Sequence, residues 1–279
     1  MKWLFLAGAI LMSLPMIAGE LDPKTCRVVE VEAGPEDIEL DRWSTPPRLM
    51  VGPTPPVAVP IVDGMLGEKV ALETPKFHPI GISLVRTGDK TLLYAISKGV
   101  GVEVFELSGN ALIPLPNGKL TSKLITTPNG IAATRLGEIY VSNMSAHGGI
   151  RGRLSNVFRA NNGNVIHYRD GEWMTEISPV RFGNGLLLSP DESQLWVAAF
   201  ADRKIHRYRR DTGAGKLTHE VTIELEAYPD NIKWSTFPEL VAAVHPSYWR
   251  TGLHITLPKM FHSRSAVAMI RDATAAAPG

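Results

Sequence analysis

The stretch FGNGLLLSPDESQLWVAAFADRKIHRYRR, residues 182–210, decides the fold. Asn184-Gly185-Leu186 stands before a strand-like run, and Ser189-Pro190-Asp191-Glu192 has the composition of a turn. Gln194 to Ala198 is a short apolar strand. Lys204 to Arg209 alternates apolar and polar side chains, as a half-exposed antiparallel strand does.

The same organisation recurs outward in both directions. Glu36-Asp37-Ile38-Glu39, Ile80-Gly81-Ile82, Asn129-Gly130-Ile131 and Asp230-Asn231-Ile232 are the matching anchors. Positions 36, 80, 129, 184 and 231 are 44, 49, 55 and 47 residues apart. Periods of about 40–50 residues suit four-stranded propeller blades. The runs Leu92 to Ile96, Val102 to Leu107 and Glu138 to Ser142 fall where blade strands should. Spacing and strand order together predict an all-β β-propeller, against a β-sandwich whose spacing is accidental. A further period from Asn231 reaches 278 in a chain of 279 residues, and Asp272 to Gly279 is not strand-like. Five anchors are present, so in a ring that needs a sixth unit the last blade is expected to be missing or incomplete. Two segments interrupt the pattern. Arg42 to Val59 is Pro-rich and reads as a surface loop, and Ser145 to Asn164 reads as an insertion that could lie over one face as a lid.

Composition narrows the function. Lys+Arg 29 against Asp+Glu 28 gives a net charge of +1, with no basic stripe for nucleic acid. The hydrophobic fraction of 44% and charged fraction of 20% are those of a globular chain. Lys2 followed by the apolar Trp3 to Leu14 reads as an export segment, so residues 1–19 are expected to be a signal peptide or N-terminal anchor and 20–279 one propeller domain. The chain is then secreted or periplasmic. An uncleaved segment would instead attach it to a membrane, peripherally, since the apolar stretch is short for a span of about 20 residues. Cys26 is the single cysteine. It reads as a free thiol or as one half of a bridge to a cysteine outside this chain.

A propeller brings the inner strand of every blade to one axis, so equivalent positions meet there. Glu36, Asn129, Asn184, Asp230 and Asn231 would offer five oxygen-bearing side chains, the hard ligands calcium prefers. Each motif alone is weak, since Asn-Gly is a common turn. No nucleophile elbow, P-loop or zinc motif occurs. Asn143-Met144-Ser145 is a formal glycosylation sequon.

These residues carry a family resemblance. GPEDIEL (34–40), FHPIGIS (77–83), PNGIA (128–132), IYVSN (139–143), residues 182–210, DNI (230–232) and VHPS (244–247) resemble the paraoxonase/arylesterase group of calcium-dependent six-bladed propellers, related to gluconolactonase- and strictosidine-synthase-like propellers. The resemblance implies that Glu36, Asn129, Asn184, Asp230 and Asn231 ligate a catalytic calcium that polarises a lactone or ester carbonyl. It implies that Asp37 and the Ile82 carbonyl belong to a second, structural calcium, whose third ligand position is Gly130 here. The family's two histidines fall on Ile80 and Ser97, so its usual general base is absent. Its cysteine pairing would join Cys26 to a residue this chain lacks. Asp230 or Glu36 could serve as the base instead, and His245 could contact substrate or leaving group. The expected function is a calcium-dependent lactonase or arylesterase acting on a small-molecule lactone or ester. The alternative is a non-catalytic calcium-binding propeller that serves as a binding module.

Overall fold

The computed structural model describes residues 36–52, 55–63, 65–76, 78–158 and 160–234, with the backbone of 240–245 and 266–270. The expected export segment at 1–19, Cys26 and the tail after 270 lie outside the described residues.

Among the described residues, five antiparallel sheets follow one another along the chain. The first is β1 (Ile38–Asp41), β2 (Arg48–Val51) and β3 (Val57–Val62), with the short β4 (Met65–Leu66) and β5 (Val70–Ala71) on β3. The second is β6 (Pro79–Thr87), β7 (Lys90–Ser97), β8 (Gly101–Ser108) and β9 (Ala111–Leu120). The third is β10 (Pro128–Ala133), β11 (Ile139–Asn143), β12 (Gly163–Arg169) and β13 (Glu172–Val180). The fourth is β14 (Gly183–Leu188), β15 (Gln194–Ala199), β16 (Lys204–Arg210) and β17 (Leu217–Glu224). The fifth holds β18 (Tyr228–Trp234), β19 (Leu240–His245) and β20 (Ala266–Ile270).

The second strands of the second, third and fourth sheets read as nearly unbroken apolar runs because sheets cover them on both faces. Leu195, Trp196, Val197, Ala198 and Ala199 of β15 are all fully buried. The core lies between sheets in successive layers. Ile82, Leu93 and Phe105 meet Met50 and Ala58, and Ile96 and Val104 meet Ile131 and Val141. Ala132 and Tyr140 meet Leu186 and Val197, and Trp196 and Ile205 meet Ile232. This radial stacking of sheets about their first strands is a propeller arrangement. Truncating a fully buried aromatic such as Trp196 typically costs about 3–5 kcal/mol.

The Pro-rich segment departs from the expected loop. Arg48–Val51 and Val57–Val62 are strands with Met50, Val51, Val57, Ala58 and Val59 buried. Pro46 and Pro47 precede β2 and Pro56 precedes β3, positions that need no ladder donor. The insertion at 145–164 contains α1 (Gly149–Val157), with no side-chain cap and no acidic residue in its first turn. Those missing start signals are why the sequence does not announce it. Asn143 of the sequon is fully buried, and its amide donates to Asn164 Oδ1 at 2.8 Å. No glycan could be attached to it in the folded chain.

A buried polar cluster ties the third sheet to the fourth. The Arg210 guanidinium pairs with Glu138 and donates from Nε to the Tyr140 hydroxyl at 3.0 Å. His167 stacks on Tyr140 with centroids 4.2 Å apart, its Nε2 lying 3.3 Å from Glu138. Burial holds the His167 imidazole below its ordinary pKa, against the opposing pull of Glu138 and Glu176.

Candidate functional site

Every first strand from β6 to β18 carries an irregularity at its motif. The register steps from Pro79↔Ser97 to Ile82↔Ala95, and from Pro128↔Asn143 to Ile131↔Val141. It steps likewise from Gly183↔Ala199 to Leu186↔Val197, and from Pro229↔Val244 to Ile232↔Ala242. In each case two motif residues oppose one partner residue. A bulge of this kind re-aims side chains away from the pleat. Ile80-Gly81, Asn129-Gly130, Asn184-Gly185 and Asp230-Asn231 are the four bulged pairs, so Ile80, Asn129, Asn184 and Asp230 hold equivalent places.

Close backbone approach explains the glycines. A Cβ at Gly130 would collide with the Asn184 carbonyl oxygen, and one at Gly185 would lie 2.6 Å from that of Asp230. Each strand thus packs its glycine on the next strand's ligand-type residue. Ser142 adds a tie: its hydroxyl accepts from Gly130 N–H at 2.9 Å and donates to the Asn184 carbonyl. Ahead of Asn129, the Asn143 side chain accepts from Thr126 N–H at 3.0 Å, and Ser145 N–H donates to Thr127 Oγ1 at 2.7 Å. Ahead of Asn184, Phe182 has φ 57°, a left-handed conformation uncommon for a bulky residue. Its buried ring packs on Phe200 at 5.0 Å, and Phe200 packs on Tyr228 at 5.5 Å, which holds the chain in that conformation.

Asn184 is fully buried, and neither its Oδ1 nor its Nδ2 has a hydrogen-bond partner. Asn129 is buried as well, at 5% exposure. An unsatisfied buried amide costs about 1–3 kcal/mol, so its retention in the core calls for a ligand. Asp230 precedes Asn231 at the matching bulge, and the Asn231 amide donates to the Glu36 carbonyl at 2.5 Å, bringing β18 to the start of β1. Among the described residues no three His, Cys, Asp or Glu side chains come together as a metal group. An ion here would depend on amide oxygens beside the carboxylates, a donor set that suits calcium better than zinc. The orphaned Asn184 amide suits one such ion, while Glu36 is exposed and Asp230 and Asn231 are half-buried.

The residues do not fit a second. Lys233 Nζ lies 3.1 Å from both oxygens of Asp37, 2.7 Å from Glu39 Oε1 and 3.3 Å from the Ile82 carbonyl oxygen. Burial pushes the Asp37 and Glu39 carboxyls up, and the Lys233 ammonium pulls both back. Burial also works against the ammonium, but the two carboxylates outweigh it and raise its pKa. Beyond this cage the inner strands line a cavity of about 470 Å³ that includes Ser83, Ala133, Leu188 and Trp234.

The remaining expected residues are placed as follows. Ile80 is half-buried against the core shared by the second and third sheets, and Ser97, buried, pairs with Pro79 beside it. His245 ends β19 opposite Tyr228, and its side chain lies outside the described residues. Sequence reasoning missed Lys233, Ser142 and Phe182. Lysine and serine in strands read as solvent-facing, and nothing local marks the turn at Phe182.

The comparisons agree with this fold. In Drosophila melanogaster, the adipocyte plasma membrane-associated protein Hemomucin is 23% identical over 200 residues, 67% of this chain. The chain spans about a third of that relative's length, 34%. Among solved structures, a luciferin-regenerating enzyme matches with a TM-score of 0.50 at 15% identity, covering 76% of this chain and 69% of the other. The calcium-binding protein regucalcin from Agrobacterium tumefaciens matches with a TM-score of 0.50 at 15% identity, covering 76% and 67%. Both likenesses bear on the fold. The family model described as Arylesterase matches residues 65–278, most of the chain, which therefore belongs to the arylesterase family.

Proposed function

We propose that the chain is a calcium-dependent hydrolase of lactones or aryl esters, working at the N-terminal ends of its inner strands. The observation that carries this is Asn184, whose buried amide has no protein partner and stands in a ring of equivalent bulges. Family membership and the calcium-binding name of one fold relative support the class of reaction and the ion. Glu36, Asn129, Asn184, Asp230 and Asn231 would hold the calcium. When bound, the ion would polarise the ester carbonyl and stabilise the charge that develops on its oxygen.

The protein's own residues must manage the water. Ile80 cannot accept a proton and Ser97 is a poor base, so the acceptor falls to a carboxylate, Asp230 or Glu36. His245 is the candidate to protonate or contact the leaving group. An export segment at 1–19 would deliver the domain (20–279) to a secreted, periplasmic or membrane-attached setting, where millimolar calcium could keep the site loaded.

Turnover of phenyl acetate and of a δ-lactone by the full chain, with calcium and with chelator, tests the reading. Chelator-sensitive hydrolysis that disappears in Asn184→Ala is expected. The second reading, a non-catalytic calcium-binding module, draws on the apolar Ile80 at the bulge. Calcium binding with no turnover of either substrate class would establish it in place of the enzyme.

A further inference from the structure

Lys233 sits where a metal ion would be expected to sit. Its ammonium gathers oxygens from two separate sheets, Asp37 and Glu39 at the start of the first and the Ile82 carbonyl of β6 in the second, and ties both to its own strand β18 in the fifth. Two carboxylates and a main-chain carbonyl converging from distant parts of the chain make a hard-oxygen cage of the type that takes divalent cations. Asp37 is fixed before any cation is considered. Ile82 N–H donates to its Oδ2 at 2.9 Å and Ile38 N–H to its Oδ1 at 2.9 Å. The three donors of the ammonium are matched by these oxygen partners, so none is left over.

We propose that this is a cation site filled by the chain's own lysine: the Lys233 ammonium replaces a second calcium and closes the inner ring without metal. A calcium ion coordinates such oxygens at about 2.3–2.6 Å. At that range it would crowd and repel an ammonium 3.1 Å from the same Asp37 oxygens, so the two cannot share the cage. The consequence is a division of labour along the axis. Cross-linking of β1, β6 and β18 is built in and independent of calcium, while the Asn184 end stays responsive to it.

The test is Lys233→Ser in the full chain, which empties the cage without filling it. Equilibrium dialysis with radioactive calcium should show one more ion per chain than the unmutated protein binds. The rise in Tm on adding calcium should also exceed the parent's. Because the readout is a difference, it is independent of whether the parent binds calcium at Asn184. An unchanged ion count with the same Tm loss in calcium and in EDTA would overturn the proposal. Asp37→Asn provides a second arm should Lys233→Ser fail to fold. If Asp37 serves the lysine, this change lowers Tm equally in calcium and in EDTA. A penalty present in calcium and absent in EDTA would mean that Asp37 holds a metal, and would also overturn it.

Discussion

At one level of the inner strands, Asn184 is fully buried with both amide atoms unbonded. One step further along, Asp37, Glu39 and the Ile82 carbonyl close around Lys233 and leave it no free donor. Both clusters are oxygen-rich, both lie among the first strands of the sheets, and their energetics are opposite. The lysine cage is satisfied within the chain and should stabilise the ring under all metal conditions. The asparagine cluster carries the cost of an unmet buried group, which only a ligand can offset. Stability is secured at the first and withheld at the second, which is the arrangement expected when one is structural and the other binds.

The contrast can be broken most severely at Lys233. Lys233→Met leaves two carboxylates facing each other with no cation, and losing one partner of a buried pair costs about 3–5 kcal/mol. Urea unfolding in EDTA should show a loss near the lower end of that range, because Lys233 and Glu39 keep about a fifth of their side-chain surface exposed. A loss below about 0.5 kcal/mol would place the pair among ordinary surface contacts. Asn184→Leu sharpens the other side. It should weaken calcium binding by about 100-fold, yet raise stability in EDTA by about 1–3 kcal/mol, since an apolar group replaces an unsatisfied one. Calorimetry and unfolding on the same sample check both signs.

Gly130→Ala probes the packing between strands. Its methyl would meet the Asn184 carbonyl, and overpacking of this kind costs about 1–3 kcal/mol. Calcium affinity should fall with it, because Asn184 is displaced. The smallest effect concerns the Glu138–Arg210–His167 cluster, which belongs to neither cage. Burial holds the folded His167 below the ordinary value of 6.5, so the unfolded chain binds protons first as pH drops. Its contribution is complete above about pH 6.5 and is lost as pH falls below that, by at most about 1.4 kcal/mol per pH unit. Unfolding at pH 7.5 and 5.5 should show this slope in the parent and a shallower one in His167→Gln, with calcium making no difference to the change.

The recurrence of the Asn129, Asn184 and Asp230 motifs was readable because blades repeat and their first strands carry the same bulge, although the spacing counted to Asn231 ends one residue past the equivalent place, Asp230. The bulge itself was not readable, since it is a register step between strands and not a residue type. The Pro-rich segment misled because prolines count against strands on average, while here most stand just ahead of them. Lys233 was hidden for a different reason. Its partners Asp37 and Glu39 are 196 and 194 residues away, and no local pattern reports a contact of that range. Resemblance pointed to Asp37 as part of a cation site, but only the folded chain shows which cation the geometry supplies.

Calcium content and hydrolysis measured together on one preparation of the full chain test the central claim most directly. The account predicts one tightly bound calcium per chain, with phenyl acetate or lactone turnover that chelator removes and calcium restores. Turnover that persists in chelator, or a chain that binds no calcium at all, would contradict it.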